Sequence, residues 1–216
     1  MTKSISNLLS DKRLDGYKGG TRNDLQMILH RYNYNIELSN EFYPFLSIFE
    51  VAFRNSLHLS WGKHFQDSNW ICNYKKHNLA MIETSKIEDA INELTNKRKP
   101  INGDGLIAEL NLGFWVNLFD HRYLEINKKT IKDSFPNATN KQRDIFRIKS
   151  QLNDIRNLRN RIFHHEPIWN WNNLEDFLNN LKNFILWMDK DLLLPRVVKS
   201  EESLRVLIER QKLMLK

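Results

Sequence analysis

The chain has 216 residues, of which 41% are hydrophobic and 11% aromatic, with 12 Phe and 6 Trp, so it carries enough apolar surface for a folded core and is not a disordered chain. Its 7 Gly and 5 Pro are too few for a barrel or sandwich built on many tight turns, which leaves helices as the economical architecture. A formal net charge of +7 favours phosphate-rich partners through Coulomb attraction and counterion release, although mild basicity is common among proteins that bind no nucleic acid.

The opening residues are polar and charged and lack the apolar stretch of a signal peptide. No window approaches the roughly 18 apolar residues of a membrane span. The single cysteine, Cys72, excludes an intrachain disulfide and a cysteine-based zinc cage and fits a reducing compartment. The expectation is a cytoplasmic protein with no membrane association. Residues 1–20 read as an N-terminal segment with a hinge at Gly16–Gly20, and 21–216 as a single helical domain.

Thr21 is placed to cap a first helix running to about Tyr32, with a break over Asn33–Ile36 and a new start at Ser39 or Asn40. From Glu41 to about His64 the chain is apolar on most sides, which marks a buried helix, and Pro44 fits its first turn. Another helix is expected from about Asn78 to Lys97, ended by the basic run Lys97-Arg98-Lys99-Pro100 and the turn-forming Asn102-Gly103-Asp104-Gly105. Asn111 to Phe119 reads as a short aromatic helix. The stretch up to Asn140, with Pro136, reads as turns. Helical periodicity returns from Lys141 to Phe163 and ends near Pro167. Two last helices are expected from Asn172 or Asn173 to Lys190 and from Ser200 to Lys216. No segment alternates as a strand does, so the fold class is all-α, a helical bundle.

Chemistry concentrates in Arg159-Asn160-Arg161-Ile162-Phe163-His164. Ile145, Ile148, Leu152, Ile155 and Ile162 follow steps of three and four, and the series calls for an inward residue at Arg159. A guanidinium at such a position pairs with an acid or faces a cavity, because burying it unpaired is costly. Asn160 and His164, four apart, are neighbours on the helix surface. Arg159 and His164 lie about 140° apart on an ideal helix. They converge only if the helix unwinds before Pro167 or if two copies face each other. These residue types suit RNA cleavage without a metal: His accepts the proton of a ribose 2′-hydroxyl near neutral pH, and Arg stabilises the charge that develops on phosphate. The plainer alternative is a helix end whose His and Arg offset the helix dipole, and for an isolated Arg-x4-His it is the commoner case.

The run Arg159 to Asn170, with its Arg-Asn, His164-His165 and Trp169-Asn170, resembles the motif of the Abi-like (abortive phage infection) family of HEPN-domain proteins. Tyr34–Ser39 and Phe45–Asn55 resemble that family's N-terminal helix, and Leu112–Phe119 its central aromatic segment, so the likeness spans roughly residues 20–190. It implies a HEPN-like helical bundle, a homodimer with paired motifs at the interface, and a metal-independent endoribonuclease with no cofactor. It carries Arg159 and His164 over as catalytic and Asn160 as an orienting residue. Phe163 departs from the small residue that often precedes the His pair.

On the buried helix, Glu50, Arg54, Asn55 and His58 form a second polar cluster, either an ion pair fixing helix register or, with His165, support for the active site. Arg161, Lys149 and Trp169 are candidate RNA contacts, against the default of solvated charges and a packed indole. His164-His165-Glu166 does not match a helical zinc signature, so no metal is expected. The leading reading is an endoribonuclease acting as a toxin or in phage defence, restrained by an antitoxin protein or a noncoding RNA. The alternatives are a non-catalytic RNA-binding regulator and a protein-interaction scaffold.

Overall fold

The computed structural model describes residues 5–19 and 23–215. Among them every regular element is helical: α1 (Ile5–Leu9), α2 (Asp11–Asp15), α3 (Leu25–Phe65), α4 (Met81–Asn96), α5 (Gly103–Glu109), α6 (Leu112–Asn117), α7 (Leu124–Ser134), α8 (Ile145–Phe163), α9 (Leu174–Met188) and α10 (Pro195–Met214), with short 3-10 turns between some of them. The all-α architecture expected from the sequence is the one observed. None of these helices is long and apolar enough to cross a membrane. Thr21, expected as a cap, lies outside the described residues, and Asp24 caps α3 by accepting from the Met27 amide at 3.0 Å.

The expected break at Asn33–Ile36 does not occur, and α3 runs unbroken for 41 residues with Pro44 inside it. Asn residues interrupt helices by bonding their own backbone, and here both amides are engaged elsewhere. Asn33 donates to Glu37 one turn on at 2.7 Å, and Asn35 reaches the distant Ile168 and Trp169 amides. Tyr34, between them, is buried and donates to the Leu207 carbonyl. Long-range partners override the local preference.

Two helices replace expected turns. Asn102-Gly103-Asp104-Gly105 is the first turn of α5, with Asn102 accepting from the Gly105 amide at 2.8 Å. α7 eluded an apolar-period reading because much of its buried face is small and polar. Asn127, Thr130 and Ser134 point inward, Asn127 donating to the Leu118 carbonyl at 2.8 Å and Ser134 meeting Ser60 at 2.7 Å. α10 begins at Pro195, earlier than Ser200, because proline's fixed φ and absent N–H suit a first helical position.

The chain forms two compact units. The first comprises the described residues of Met1–Ser47 with Asn157–Lys182 and Leu193–Lys216. Its core gathers Leu38, Phe42, Phe45, Leu158, Ile168, Leu178 and Leu204. The second comprises Ile48–Arg156 and Asn183–Leu192. Its core is an aromatic cluster: Phe49 stacks on Phe53 one turn on at 5.2 Å, Phe135 meets Phe184 at 5.5 Å, and Phe184 meets Trp187 at 4.9 Å. Trp61, Trp70 and Tyr123 extend that unit's aromatic packing.

Pro44 removes one backbone bond from α3 and crowds the carbonyl four residues earlier. Pro44→Ala is expected to stabilise the protein by about 2 kcal/mol after allowing for the freer unfolded chain. Chemical denaturation checks this as a higher midpoint at unchanged slope.

Candidate functional site

The apolar stripe of α8 runs Ile148, Leu152, Ile155, Leu158 and Ile162, all buried. Leu158 occupies the inward step that the sequence reading gave to Arg159. Arg159 sits beside the stripe, half-buried, with its guanidinium 4.2 Å from the centre of the Phe163 ring. It is therefore a flanking cation held by an aromatic face and not a charge sunk in the core. Phe163 is 41% exposed and meets Tyr43, 53% exposed, at 5.9 Å.

Helical register persists through His164, whose amide donates to the Asn160 carbonyl at 2.9 Å. The turn comes one residue later. His165 adopts left-handed φ 55°, its amide donates to the Ile162 carbonyl, and the Glu166 amide reaches back to Arg161 at 2.8 Å. This is a Schellman end in which a histidine stands where glycine is usual. A non-glycine residue there costs about 1–2 kcal/mol. Surrounding contacts offset it: Arg13 donates to the His165 carbonyl at 2.5 Å, and Arg161 pairs with Glu166 at 3.3 Å.

The segment after the turn is tied down from several helices of the first unit. Asn35 Oδ1 accepts from the amides of Ile168 at 2.7 Å and Trp169 at 3.1 Å, and its Nδ2 donates to the Glu166 carbonyl at 3.4 Å. Gln211 Nε2 donates to the carbonyls of Trp169 at 2.5 Å and Trp171 at 2.9 Å. The Trp169 indole donates to the Gly16 carbonyl at 3.0 Å while Arg31 stacks 4.9 Å from its ring. A Cβ on Gly16 would stand 2.9 Å from Pro167 Cγ, so this position requires glycine for close approach, not for φ. Arg13, Arg31 and Gln211 were not singled out in the sequence, Gly16 was read only as part of a hinge, and Asn35 as part of a helix break and of the family-like run. Of these, Asn35 carried the clearest signal, a place in the family-like run Tyr34–Ser39.

The structure brings Arg159, Asn160, Arg161, His164 and His165 to one helix end, with Asn160, Arg161, His164 and His165 exposed. Trp169 is 2% exposed and acts here as an anchor, leaving no ring face open to a base. Lys149 lies in the second unit, where its ammonium donates to the Val116 carbonyl at 3.1 Å and burial pushes its pKa below the ordinary lysine value. Glu50, Arg54, Asn55 and His58 lie in the second unit too. Arg54 Nε and His58 Nδ1 are buried without a hydrogen-bond partner. Beside the motif, Ser39, Asn40, Glu41, Tyr43, Ile162, Phe163, His165 and Arg196 line a groove of about 570 Å³. Glu41 on its wall accepts from Ser200 at 2.8 Å and pairs with Arg196 at 3.1 Å.

A model of the Abi-like protein family matches residues 4–170, which includes this helix end and the segment tied to Asn35. The chain belongs to the Abi-like family. No curated protein and no solved structure matches it. The matched span holds both polar regions of this Abi-like protein singled out from sequence, on α3 and at the end of α8.

Two outcomes follow from this geometry. Asn35→Leu leaves two buried amides without an acceptor and is expected to cost about 2–4 kcal/mol, read as a lower denaturation midpoint. Burial lowers the His58 pKa from 6.5, so an unfolded chain binds that proton more readily than the folded one. Its contribution to stability is full above pH 6.5 and is lost as pH falls through and below that value. His58→Gln should flatten the fall in melting temperature between about pH 7 and pH 5.

Proposed function

We propose that this Abi-like protein is a metal-independent endoribonuclease of the HEPN type, acting in phage defence or as a toxin. The observation that carries the reading is the helix end itself. Arg159 and His164 stand at the terminus of α8, just before a segment held by Asn35, Gln211 and Arg13, within the span matched by the family. A site that acts on a polymer must be open to it, and the exposure of His164 beside a tied segment supports that.

In the proposed reaction His164 accepts the proton of a ribose 2′-hydroxyl as that oxygen attacks the adjacent phosphorus. The bond from phosphorus to the 5′-oxygen breaks, the leaving oxygen takes up a proton, and a 2′,3′-cyclic phosphate remains. Arg159 neutralises the charge that grows on the phosphoryl oxygens, and Asn160 orients the phosphate or the imidazole. Arg161 serves as a cationic RNA contact and His165 fixes the turn.

Because helical register persists through His164, Arg159 and His164 point away from one another on one chain by about 140°. This supports a homodimer in which each site draws on two copies. Phe163 lines the groove and stacks under Arg159, so its ring limits how far the guanidinium travels and is a wall against which a base can rest. Such an activity endangers its own host, which supports a restraining antitoxin protein or noncoding RNA.

Purified protein is expected to cut RNA in EDTA. His164→Ala and Arg159→Ala should each reduce the rate by at least about 100-fold with little change in melting temperature. Undiminished cutting by His164→Ala would sink its assignment. Retained, steeply salt-dependent RNA affinity with no product from the wild type would favour a non-catalytic RNA-binding regulator.

A further inference from the structure

Three cations in the second unit converge on the C-terminal end of α6. Lys149 Nζ donates to the Val116 carbonyl at 3.1 Å. With the Asn117 amide nitrogen turned to the Gly113 carbonyl at 3.2 Å, its oxygen accepts from Lys86 Nζ at 3.1 Å. In the opposite amide orientation the Asn117 oxygen accepts from Arg156 Nη1 at 3.5 Å instead. Lys86, Lys149 and Arg156 are all half-buried.

Their charges are not balanced. Among the described residues no carboxylate lies within 4.0 Å of any of the three. The nearby acids are Glu83 and Asp120. Buried Glu83 accepts from the Tyr123 hydroxyl at 2.7 Å and has Arg122 at 3.8 Å, while Asp120 pairs with Arg122 at 3.1 Å and His121 at 2.8 Å. Four cations, counting Arg122, thus face two carboxylates that already have partners. Burial pushes the pKa of Lys86 and Lys149 below the ordinary value, Glu83 pulls both back, and the Arg156 charge opposes both. Lys149 bonds a carbonyl at the end of α6 and can offset its dipole, whereas Lys86 and Arg156 meet only the Asn117 side chain there.

We propose that Lys86, Lys149 and Arg156 form a binding site for a phosphate oxyanion. An ammonium has three donors, and each lysine spends one on the contacts above. The guanidinium presents a planar fork matched to phosphate oxygens. A bound dianion relieves the repulsion among the three and replaces water lost on burial, so affinity comes from charge the fold has already gathered. The same chemistry suits a backbone phosphate of RNA and a free phosphate or nucleotide. The site stands independently of cleavage at Arg159 and His164, and it survives the failure of that reading.

The test compares wild type with Lys86→Gln, Lys149→Gln and Arg156→Gln in two arms. In the first, inorganic phosphate is titrated against chloride at equal ionic strength while melting is followed. Phosphate should raise the wild-type melting temperature by about 5 °C. Each substitution should remove most of that rise, and in chloride the variants should melt at or above the wild type because repulsion is relieved. The second arm measures affinity for a short 2′-O-methyl RNA, which cannot be cut through its 2′-oxygen, as salt is varied. A fall of about one in the slope of log K against log salt per removed cation assigns the site to nucleic acid. An unchanged slope with a lost phosphate response assigns it to free phosphate, and both results support an oxyanion site. A wild type that responds to neither ligand would overturn the proposal. So would variants that melt lower in chloride yet keep the full phosphate response, since the cations would then be structural.

Discussion

The Asn35 side chain bonds backbone groups of Glu166, Ile168 and Trp169, more than 130 residues away in sequence, and much of the first unit's arrangement follows from it. The two amides it caps belong to the segment that leaves α8, so a residue on α3 sets where that segment runs. Gln211 holds the carbonyls of Trp169 and Trp171 from α10, and Arg13 holds the carbonyl of His165 from α2. A chain leaving a helix after a left-handed histidine has many alternatives, and these contacts restrict it to one. The entropy lost in ordering such a segment is roughly 1–2 kcal/mol per residue, so single hydrogen bonds to water-exposed groups would not hold it.

The long elements were legible because their apolar periods match helices. The buried faces of α8 and α9 follow steps of three and four, and the aromatic ladder of Phe49 and Phe53 lies one turn apart on α3. What was not legible depended on partners far along the chain. Asn33 and Asn35 read as helix breakers until their amides are seen engaged with Glu37 and with the motif segment. α7 hides because Asn127, Thr130 and Ser134 are buried where Leu or Ile would announce a helix. Arg159 was placed on the core stripe because Ile155 and Ile162 are seven apart, a spacing that positions 158 and 159 both satisfy. Leu158 takes the inward place, since burying an uncharged side chain avoids the desolvation that Arg159 would incur.

That exchange bears on the proposed chemistry. Arg159 rests on the exposed Phe163 ring beside the core stripe and is spared the full desolvation of a core position. The ring also accounts for the departure from the small residue often found before the His pair: it supports Arg159 and walls the groove bordered by Tyr43 and His165. The polar residues of the second unit are distinct in kind. Lys86, Lys149 and Arg156 gather more positive charge than Glu83 and Asp120 balance, which a fold tolerates where an anion arrives from outside.

The proposed use of the 2′-hydroxyl is tested most directly by the substrate itself. Purified protein in EDTA would be given one RNA in two forms, all-ribose and with a single 2′-deoxy nucleotide at the mapped cut position, and the product ends identified by mass spectrometry. The account predicts a 2′,3′-cyclic phosphate and a 5′-hydroxyl from the first and no cut at that position in the second. Cutting of the deoxy-substituted strand at the same bond, or a product bearing a 5′-phosphate, would contradict it.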